Sequence, residues 1–319
     1  MVGLRVTSFR LLLWVPLLAL LLGCRPASQT PASTATSAAR GCTWIADREG
    51  KPGKLFLCGT IHILRESDYP LPAGYGIAYR NSSKLVLELP PGASEAPEFQ
   101  SRLMELGQYP AGESLETSVK PELWKQFEAW AQRRNMTLSR LRNFRPWLAA
   151  LVITSTEYAA LGAKADKGAD QHFEAMAKRD GKPGEGLETV ELQLQLFTQL
   201  TPAMQEEMLA QTLEEVSTVS QEFEKMISAW KNGELAALHA MLTREAEKYP
   251  DLMKLFLTDR NHAWIDRLDA MLQRGENVML LVGAGHLGGD TDGVLALLRQ
   301  RGCRVRHVTE APELVPGKP

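Results

Sequence analysis

Two histidines follow glycines at the same spacing, near opposite ends of the chain. Gly59-Thr60-Ile61-His62 ends the apolar run of residues 54–58, and Gly283-Ala284-Gly285-His286 ends the apolar run of residues 278–282. Neutral imidazole is a ligand for Zn, Mn, Co and Fe, so the pair indicates a site for a divalent metal ion. Taken singly, each motif is also compatible with a turn histidine that bonds to the backbone.

Two glutamates have the context to join these histidines. Glu88 ends the apolar segment of residues 84–89, where a carboxylate is costly to bury without a partner. It is predicted to be a metal ligand or a general base that activates water, with a strand-end carboxylate facing solvent as the alternative. Glu188 follows the breaker run of residues 181–186 and has the same two interpretations, as a site residue or as a first-turn helix acid.

Several polar residues lie within apolar helical patterns. A guanidinium in such a pattern, as at Arg145 and in Arg260-Asn261, either pairs with a core carboxylate or reaches a substrate, and the sequence favours the pairing. Asp170 could supply a further ligand, but a polar helix start explains it equally well. The same two readings apply to Asp166 and His172. The remaining histidines are interpreted as structural or surface residues: His239, His262 and His307.

The strands that must position these residues lie at both ends of the chain. Short, continuous apolar runs predict buried strands, and ligands of open α/β sheets bind at the carboxyl ends of such strands. Residues 42–47 and 54–59 flank a polar turn and predict a hairpin. Residues 84–89 predict a strand that Pro90-Pro91 terminates. The C-terminal segment predicts a βαβ unit: strand 277–282, helix 290–301 and parallel strand 304–308.

The middle of the chain is predicted to be helical. The helical patterns begin at Pro121 and cover residues 137–161 (interrupted near Pro146), 168–179, the stretch from 187, two or three helices in 205–246, and 251–274. We therefore expect an α/β fold with a mixed, mainly parallel sheet, built from N- and C-terminal strands, and a helical insertion or cap in the middle.

The N-terminus predicts export and lipid anchoring. Two arginines precede the apolar run of residues 11–22, and Cys24 follows Leu-Leu-Gly. This pattern predicts a lipoprotein signal peptide (1–23), lipidation of Cys24, a flexible Ala/Ser/Thr/Pro tether (24–41) and a folded domain (42–310). Ordinary signal-peptide cleavage is the alternative. The expected location is the cell envelope, facing the periplasm, and the outer membrane if the host is Gram-negative.

Composition and missing motifs exclude several classes. The net charge of −2 provides no footprint for nucleic acid. The sequence has no His-Glu-x-x-His, no Gly-x-Ser-x-Gly, no phosphate-binding loop and no dinucleotide fingerprint. The partner expected from these residues is the membrane, through Cys24, and nucleic acid is not expected. Among Cys42, Cys58 and Cys303 the sequence selects no disulfide pairing.

The ordered motifs of residues 42–308 resemble the TraB/GumN family, which is related to the Tiki metalloproteases. The motifs that carry the resemblance are Gly59-Thr60-Ile61-His62, Leu87-Glu88, Arg145-Pro146-Trp147, Gly168-Ala169-Asp170, Gly186-Leu187-Glu188-Thr189 followed by Gln193 or Gln195, Arg260-Asn261 and Gly283-Ala284-Gly285-His286-Leu287-Gly288. The resemblance implies a membrane-tethered, metal-dependent hydrolase, in particular a peptidase, and hence a peptide or small-molecule substrate as a further partner.

The resemblance also implies roles for individual residues. His62 and His286 become ligands of a divalent ion (Zn, Mn, Co or Fe), and Glu88 becomes a ligand or base. Glu188 supports the site or stabilises the transition state, as does Arg260. Asn261 shares the oxyanion role with Arg260, and Arg145 joins the site candidates. Two alternatives remain: a non-catalytic ligand- or haem-binding lipoprotein, and a metal-independent, esterase-like hydrolase in which a histidine is the base.

Overall fold

A six-stranded sheet forms the centre of the computed structural model, which describes residues 39–243, 250–311 and 314. The strands are β1 (Thr43–Asp47), β2 (Lys54–Thr60), β3 (Lys84–Leu87), β4 (Gly184–Gly186), β5 (Asn277–Gly283) and β6 (Arg304–His307). Their order is β4-β3-β5-β2-β1-β6. The pairs β4–β3, β3–β5 and β5–β2 are parallel, whereas β2–β1 and β1–β6 are antiparallel. The predicted mixed, mainly parallel sheet is confirmed.

Helices cover both faces of this sheet and fill the middle of the chain. They are α1 (Ala73–Asn81), α2 (Pro97–Gly107), α3 (Leu115–Ser118), α4 (Pro121–Arg133), α5 (Leu138–Leu141), α6 (Pro146–Ala160), α7 (Ala169–Asp180), α8 (Val190–Thr198), α9 (Pro202–Glu215), α10 (Val219–Asn232), α11 (Leu235–Thr243), α12 (Pro250–Met253), α13 (Asp259–Gln273), α14 (Ala284–Leu287) and α15 (Val294–Gln300). A π-helical turn over Lys254–Thr258 joins α12 to α13.

The central strands are apolar throughout because both of their faces are buried. In β2, Phe56 and Cys58 pack into the larger core, with the helices of the middle segment. Leu55 and Leu57 point the other way, into a second core formed with α13 and α15. This explains why the strand reads as a continuous apolar run, since alternation is expected only where one face meets water.

Several predicted boundaries differ from the structure. The first C-terminal strand extends to Gly283, and the following helix begins at Val294 rather than at residue 290, because Gly293 is extended and caps it. The last strand pairs with β1, so two strands separate it from β5. The three-residue strand β4 lies in the predicted breaker run. Two of its three residues are glycines, so the sequence gives it no apolar signal.

The predicted signal peptide, Cys24 and nearly all of the tether lie outside the described residues. Within the described part of the chain, no helix is both long and apolar enough to cross a membrane. Cys42, Cys58 and Cys303 are buried as free thiols.

Candidate functional site

Three predicted site residues meet at the carboxyl ends of adjacent parallel strands. His62 lies two residues beyond β2, Glu88 directly follows β3, and His286 lies in α14, the single helical turn after β5. Glu88 Oε1 is 3.9 Å from His62 Nε2 and 4.0 Å from His286 Nε2. Glu88 is only 4% exposed, so the predicted alternative of a solvent-facing carboxylate is wrong.

His62 is oriented by the start of α7. A Cβ on Gly168 would lie 2.2 Å from the His62 carbonyl oxygen, so only glycine permits this close approach. The adjacent Ala169 N–H donates to the Ile61 carbonyl, and Asp170 Oδ2 lies 2.7 Å from His62 Nδ1. Because an ionised carboxylate only accepts, Nδ1 carries a proton.

The remaining ring nitrogen of His62, Nε2, is buried and has no hydrogen-bond partner among the described residues. Burial lowers the pKa of His62, but the negative charges of Asp170 and Glu88 outweigh this effect and raise the pKa above 6.5. The imidazole thus combines a fixed Nδ1 with an Nε2 that faces the Glu88 carboxylate.

His286 is held in the same tautomer by α13. Asn261 Nδ2 donates to the Asp292 carbonyl across 2.8 Å, which fixes the amide so that Asn261 Oδ1 accepts from His286 Nδ1 across 2.7 Å. His286 Nε2 then accepts from Arg260 Nη1 at 3.0 Å. Burial and the Arg260 charge lower the pKa of His286 to about 3, so this imidazole is neutral at physiological pH.

Arg260 joins the two glutamates. Its Nη2 donates to Glu88 Oε2 at 2.6 Å and to Glu188 Oε2 at 2.9 Å, while its Nε donates to Glu188 Oε1 at 2.8 Å. The predicted pairing of this guanidinium with core carboxylates is confirmed. Arg260 Nη1 also donates to the Phe256 carbonyl, within the π-helical turn that precedes α13. The turn therefore contributes a backbone acceptor that holds the guanidinium in place.

The carboxylate of Glu88 is strongly stabilised as an anion. Burial alone would raise its pKa, but above all the charge of Arg260, and with it the nearby imidazoles of His286 and His62 and the Gly283 N–H donor at 2.8 Å, lower it to about 2. A carboxylate with so low a pKa is a weak base at neutral pH. This favours Glu88 as a ligand or anchor over Glu88 as a proton acceptor.

Glu188 lies before α8, in the connection from β4, and Thr189 is the N-cap. The alternative interpretation as a first-turn helix acid is therefore wrong. Its side chain accepts from Trp264 Nε1 at 2.9 Å and from Gln193 Nε2 at 3.1 Å, in addition to Arg260. Gln193 Nε2 is also 3.3 Å from Glu88 Oε2, so this amide bridges the two carboxylates.

A small space remains between the two imidazoles and Glu88, and Gly283 borders it. A Cβ built on Gly283 would lie 3.2 Å from His62 Nε2, 3.5 Å from Glu88 Oε1 and 3.7 Å from His286 Cδ2. Any side chain at this position would enter the space that these three groups surround. The glycine of the second Gly-x-x-His motif therefore keeps open the centre of the cluster formed by His62, Glu88, Glu188, Arg260 and His286.

The site assembles most of the predicted residues but not all of them. Arg145 lies over the Tyr109 ring, 4.8 Å from its centroid, and no contact of its side chain with the cluster is recorded among the described residues. The sequence explains Asp170 equally well as a helix start, and it carries no signal that singles out Trp264. Gln193 entered only through the family resemblance. For Asp170 the available signal was its place directly after Gly168-Ala169, at a helix start.

The described residues contain no group of three or more His, Cys, Asp or Glu side chains set to hold a metal ion as it stands. The separations of 3.9 and 4.0 Å between the ring nitrogens and Glu88 Oε1 are wide, and Arg260 occupies one ring nitrogen. The cluster is nevertheless rich in negative charge, because Glu88 and Glu188 share the guanidinium of Arg260 and Asp170 adds a third carboxylate beside His62.

Comparisons with known proteins agree with the motifs. The model of the TraB/PrgY/gumN family matches residues 42–307. The uncharacterized protein YbaP of Escherichia coli strain K12 is 29% identical over 250 residues, which cover 78% of this chain and 90% of that protein. YbaP of Shigella flexneri matches with the same identity and coverage. No solved structure matches the chain significantly.

Proposed function

Because the chain belongs to the TraB/PrgY/gumN family, we propose that it is a metal-dependent hydrolase of peptides or related small molecules. The observation that carries this proposal is the convergence of two imidazole Nε2 atoms on one Glu88 oxygen. Both rings are fixed through Nδ1, by Asp170 and Asn261, which is how proteins orient histidines that bind metals.

The types of donor in the cluster support a divalent cation, although their present positions are not set to hold one. His62 Nε2 is a buried nitrogen without a partner, Gly283 leaves space beside it, and three carboxylates exceed the single guanidinium in charge. His62, His286 and Glu88 would hold the ion, with Zn, Mn, Co and Fe as the metals that accept imidazole and carboxylate together. His286 would have to release its hydrogen bond from Arg260 to bind it.

When bound, such an ion supplies Lewis-acid activation of water and of a substrate carbonyl. The residues of the chain would then have separate tasks. Arg260, with its Nη1 released, is placed to face negative charge that develops on a substrate oxygen. Glu188 holds Arg260 through two hydrogen bonds. Both polar atoms of the Asn261 amide are already engaged, so we assign Asn261 to the positioning of His286.

A second candidate is metal-independent hydrolysis, and the Asp170–His62 pair favours it. A carboxylate on Nδ1, a raised pKa and an unpartnered Nε2 are the features of a histidine general base. In this variant His62 Nε2 removes the proton from water, and Arg260 stabilises the oxyanion. Retention of hydrolysis in the presence of a chelator would select this mechanism.

Elemental analysis of the purified full chain tests the proposal. We expect one divalent ion per chain in the wild type and its loss in both His62→Ala and His286→Ala, since two imidazoles are needed in the site. His262→Ala is the matched control, because His262 is half-exposed and pairs with Asp292. Absence of metal from the wild type after loading with each candidate ion would overturn the metal-dependent proposal.

We also propose that the protein is anchored to the cell envelope by lipid on Cys24 and faces the periplasm. The support is the apolar run of residues 11–22 followed by Leu-Leu-Gly-Cys. Mass spectrometry of the N-terminal peptide from the membrane fraction should find an acylated Cys24, and Cys24→Ser should release the protein from the membrane. An intact, unmodified Cys24 in mature protein would overturn the anchor.

A further inference from the structure

Two buried polar atoms on the packed helices α6 and α8 have no hydrogen-bond partner among the described residues. They are the indole donor Trp147 Nε1 and the amide acceptor Gln193 Oε1. Trp147 is fully buried and Gln193 is 1% exposed. An unpaired polar atom is costly inside a protein, and most such atoms are paired. One donor and one acceptor left over on two packed helices therefore indicate something that pairs with both.

The orientation of the Gln193 amide is fixed by its neighbours. Its Nε2 lies between Glu88 Oε2 and Glu188 Oε2, at 3.3 and 3.1 Å. Carboxylate oxygens only accept, so the NH₂ group must face them. Gln193 Oε1 is consequently directed away from both carboxylates. Its lack of a donor is a property of the site and not of an arbitrary amide assignment.

Trp147 lies on the same side of α8 as Gln193. Its ring stacks on Phe197, with 5.1 Å between ring centroids, and Phe197 is four residues after Gln193 in α8. Residues four apart occupy one face of a helix. Trp147 itself is at the first turn of α6, which Pro146 begins. The Arg145-Pro146-Trp147 motif thus brings an indole donor to the face of α8 that carries Gln193, the residue that bridges the two glutamates.

We propose that Trp147 Nε1 and Gln193 Oε1 form a subsite for a secondary amide group. The indole donates to the amide carbonyl, and Gln193 Oε1 accepts from the amide N–H. An ester has no N–H for Gln193, and the excess of carboxylates in the cluster opposes a carboxylate or phosphate ligand. That this amide belongs to a substrate rests on the proposed function. That the subsite binds an amide does not depend on it.

The indole resonance of Trp147 tests the subsite directly. The full chain, labelled with ¹⁵N-indole tryptophan in micelles, is titrated with N-acetylglycine N-methylamide, and the Trp147 signal is assigned by its loss in Trp147→Phe. We expect a saturable shift of this signal. Trp130 and Trp230 serve as internal controls, because their indoles already donate to Glu157 and to the Gly59 carbonyl. The analogue in which both amide nitrogens carry an additional methyl group, N-acetylsarcosine N,N-dimethylamide, has no N–H group and should bind about tenfold more weakly.

Replacement of Trp147 by the unnatural residue 3-benzothienylalanine separates binding from structure, since this side chain keeps a bicyclic ring of nearly the same size and has sulfur in place of the N–H donor. We expect the variant to bind the diamide about tenfold more weakly, as measured by the shift of an amide or aliphatic proton resonance of the protein. The midpoint of its urea unfolding should be unchanged or higher. A lower midpoint would mean that the donor is already paired, for example with a buried water, and would overturn the subsite. So would a Trp147 signal that does not move up to the solubility limit of the probe.

These outcomes are independent of the metal. If the shift occurs in a protein that binds no metal and hydrolyses nothing, the subsite stands and the proposed function fails. If metal is bound but neither Trp147 nor the diamide responds, only the subsite fails.

Discussion

The backbone N–H of Glu188 donates to the backbone carbonyl of Glu88 across 2.8 Å. This bond continues the parallel pairing of β3 and β4 beyond their last paired residues, Leu87 and Gly186. The two glutamates are therefore neighbours at the carboxyl edge of the sheet, although 100 residues separate them in the sequence. Two carboxylates side by side repel each other, and Arg260 is the group that makes the arrangement stable.

Arg260→Met should destabilise the protein strongly. The substitution leaves the buried carboxylates of Glu88 and Glu188 without their cation, which typically costs about 3–5 kcal/mol in the free energy of unfolding. Urea denaturation measures this. Arg301→Met is the matched control, because Arg301 forms an exposed pair with Asp266 and its loss should cost less than about 1 kcal/mol. Equal effects of the two substitutions would contradict the role given to Arg260.

Asp170→Asn should weaken metal binding without unfolding the chain. The carboxylate orients His62 and increases the basicity of its free nitrogen, and loss of such a partner typically lowers metal affinity about 10–100-fold. Isothermal titration calorimetry with Zn²⁺ and with Mn²⁺ measures the affinity for each metal ion. Asp166→Asn, an exposed carboxylate four residues earlier, should leave the affinity unchanged. An unaltered affinity in Asp170→Asn would remove Asp170 from the site.

Gly283→Ala should abolish metal uptake in a protein that still folds. The new methyl group would lie 3.2 Å from His62 Nε2, so it occupies the space between the histidines and Glu88. Elemental analysis and circular dichroism give the two readouts. Gly76→Ala is the control, because Gly76 is inside α1 and its added methyl meets only the flexible end of Arg80. That control should be more stable by roughly 0.5–1 kcal/mol.

His307→Gln should reduce the acid sensitivity of the fold. Burial lowers the pKa of His307 below its ordinary 6.5. Its Nε2 lies 2.9 Å from the Gly41 carbonyl and its Nδ1 accepts from the Thr309 N–H, so the neutral ring is already satisfied. Below pH 6.5 the unfolded chain binds a proton that the folded chain does not, and stability falls until the lower, folded-state pKa is passed.

The test is the slope of the unfolding free energy against pH, referred to pH 8, where the imidazole is neutral in both states. The slope between pH 6.5 and acid unfolding should be smaller in His307→Gln than in the wild type. Parallel curves for the two proteins would show that His307 does not contribute.

The sequence predicted the part of the site that depends on strand ends. His62, His286 and Glu88 could be placed together because apolar runs identify strands, and the carboxyl ends of parallel strands share one edge. Glu188 could not be placed by the same reasoning, because β4 has no apolar run and pairs through its backbone alone. The short strand β4 that precedes Glu188 is recognisable only from its pairing with β3.

Tertiary contacts decide the rest. Asp170 reaches His62 because Gly168 lets α7 approach the chain after β2, and no local pattern encodes that approach. Likewise, Arg260 donates to the Phe256 carbonyl in a π-helical turn, which sequence periodicity does not reveal. Arg145 illustrates the opposite case, since its motif suggested a place in the site while its side chain lies over Tyr109.

The central position of β5 determines when the site can form. β5 pairs residues 277–283 in parallel with residues 54–60 and also with β3, so it lies between the two strands that carry His62 and Glu88. A chain still emerging from the ribosome has both of those residues long before it has their separating strand, the Gly283 donor or Arg260. The arrangement of the two histidines around Glu88 therefore forms only after the last quarter of the folded region has been made.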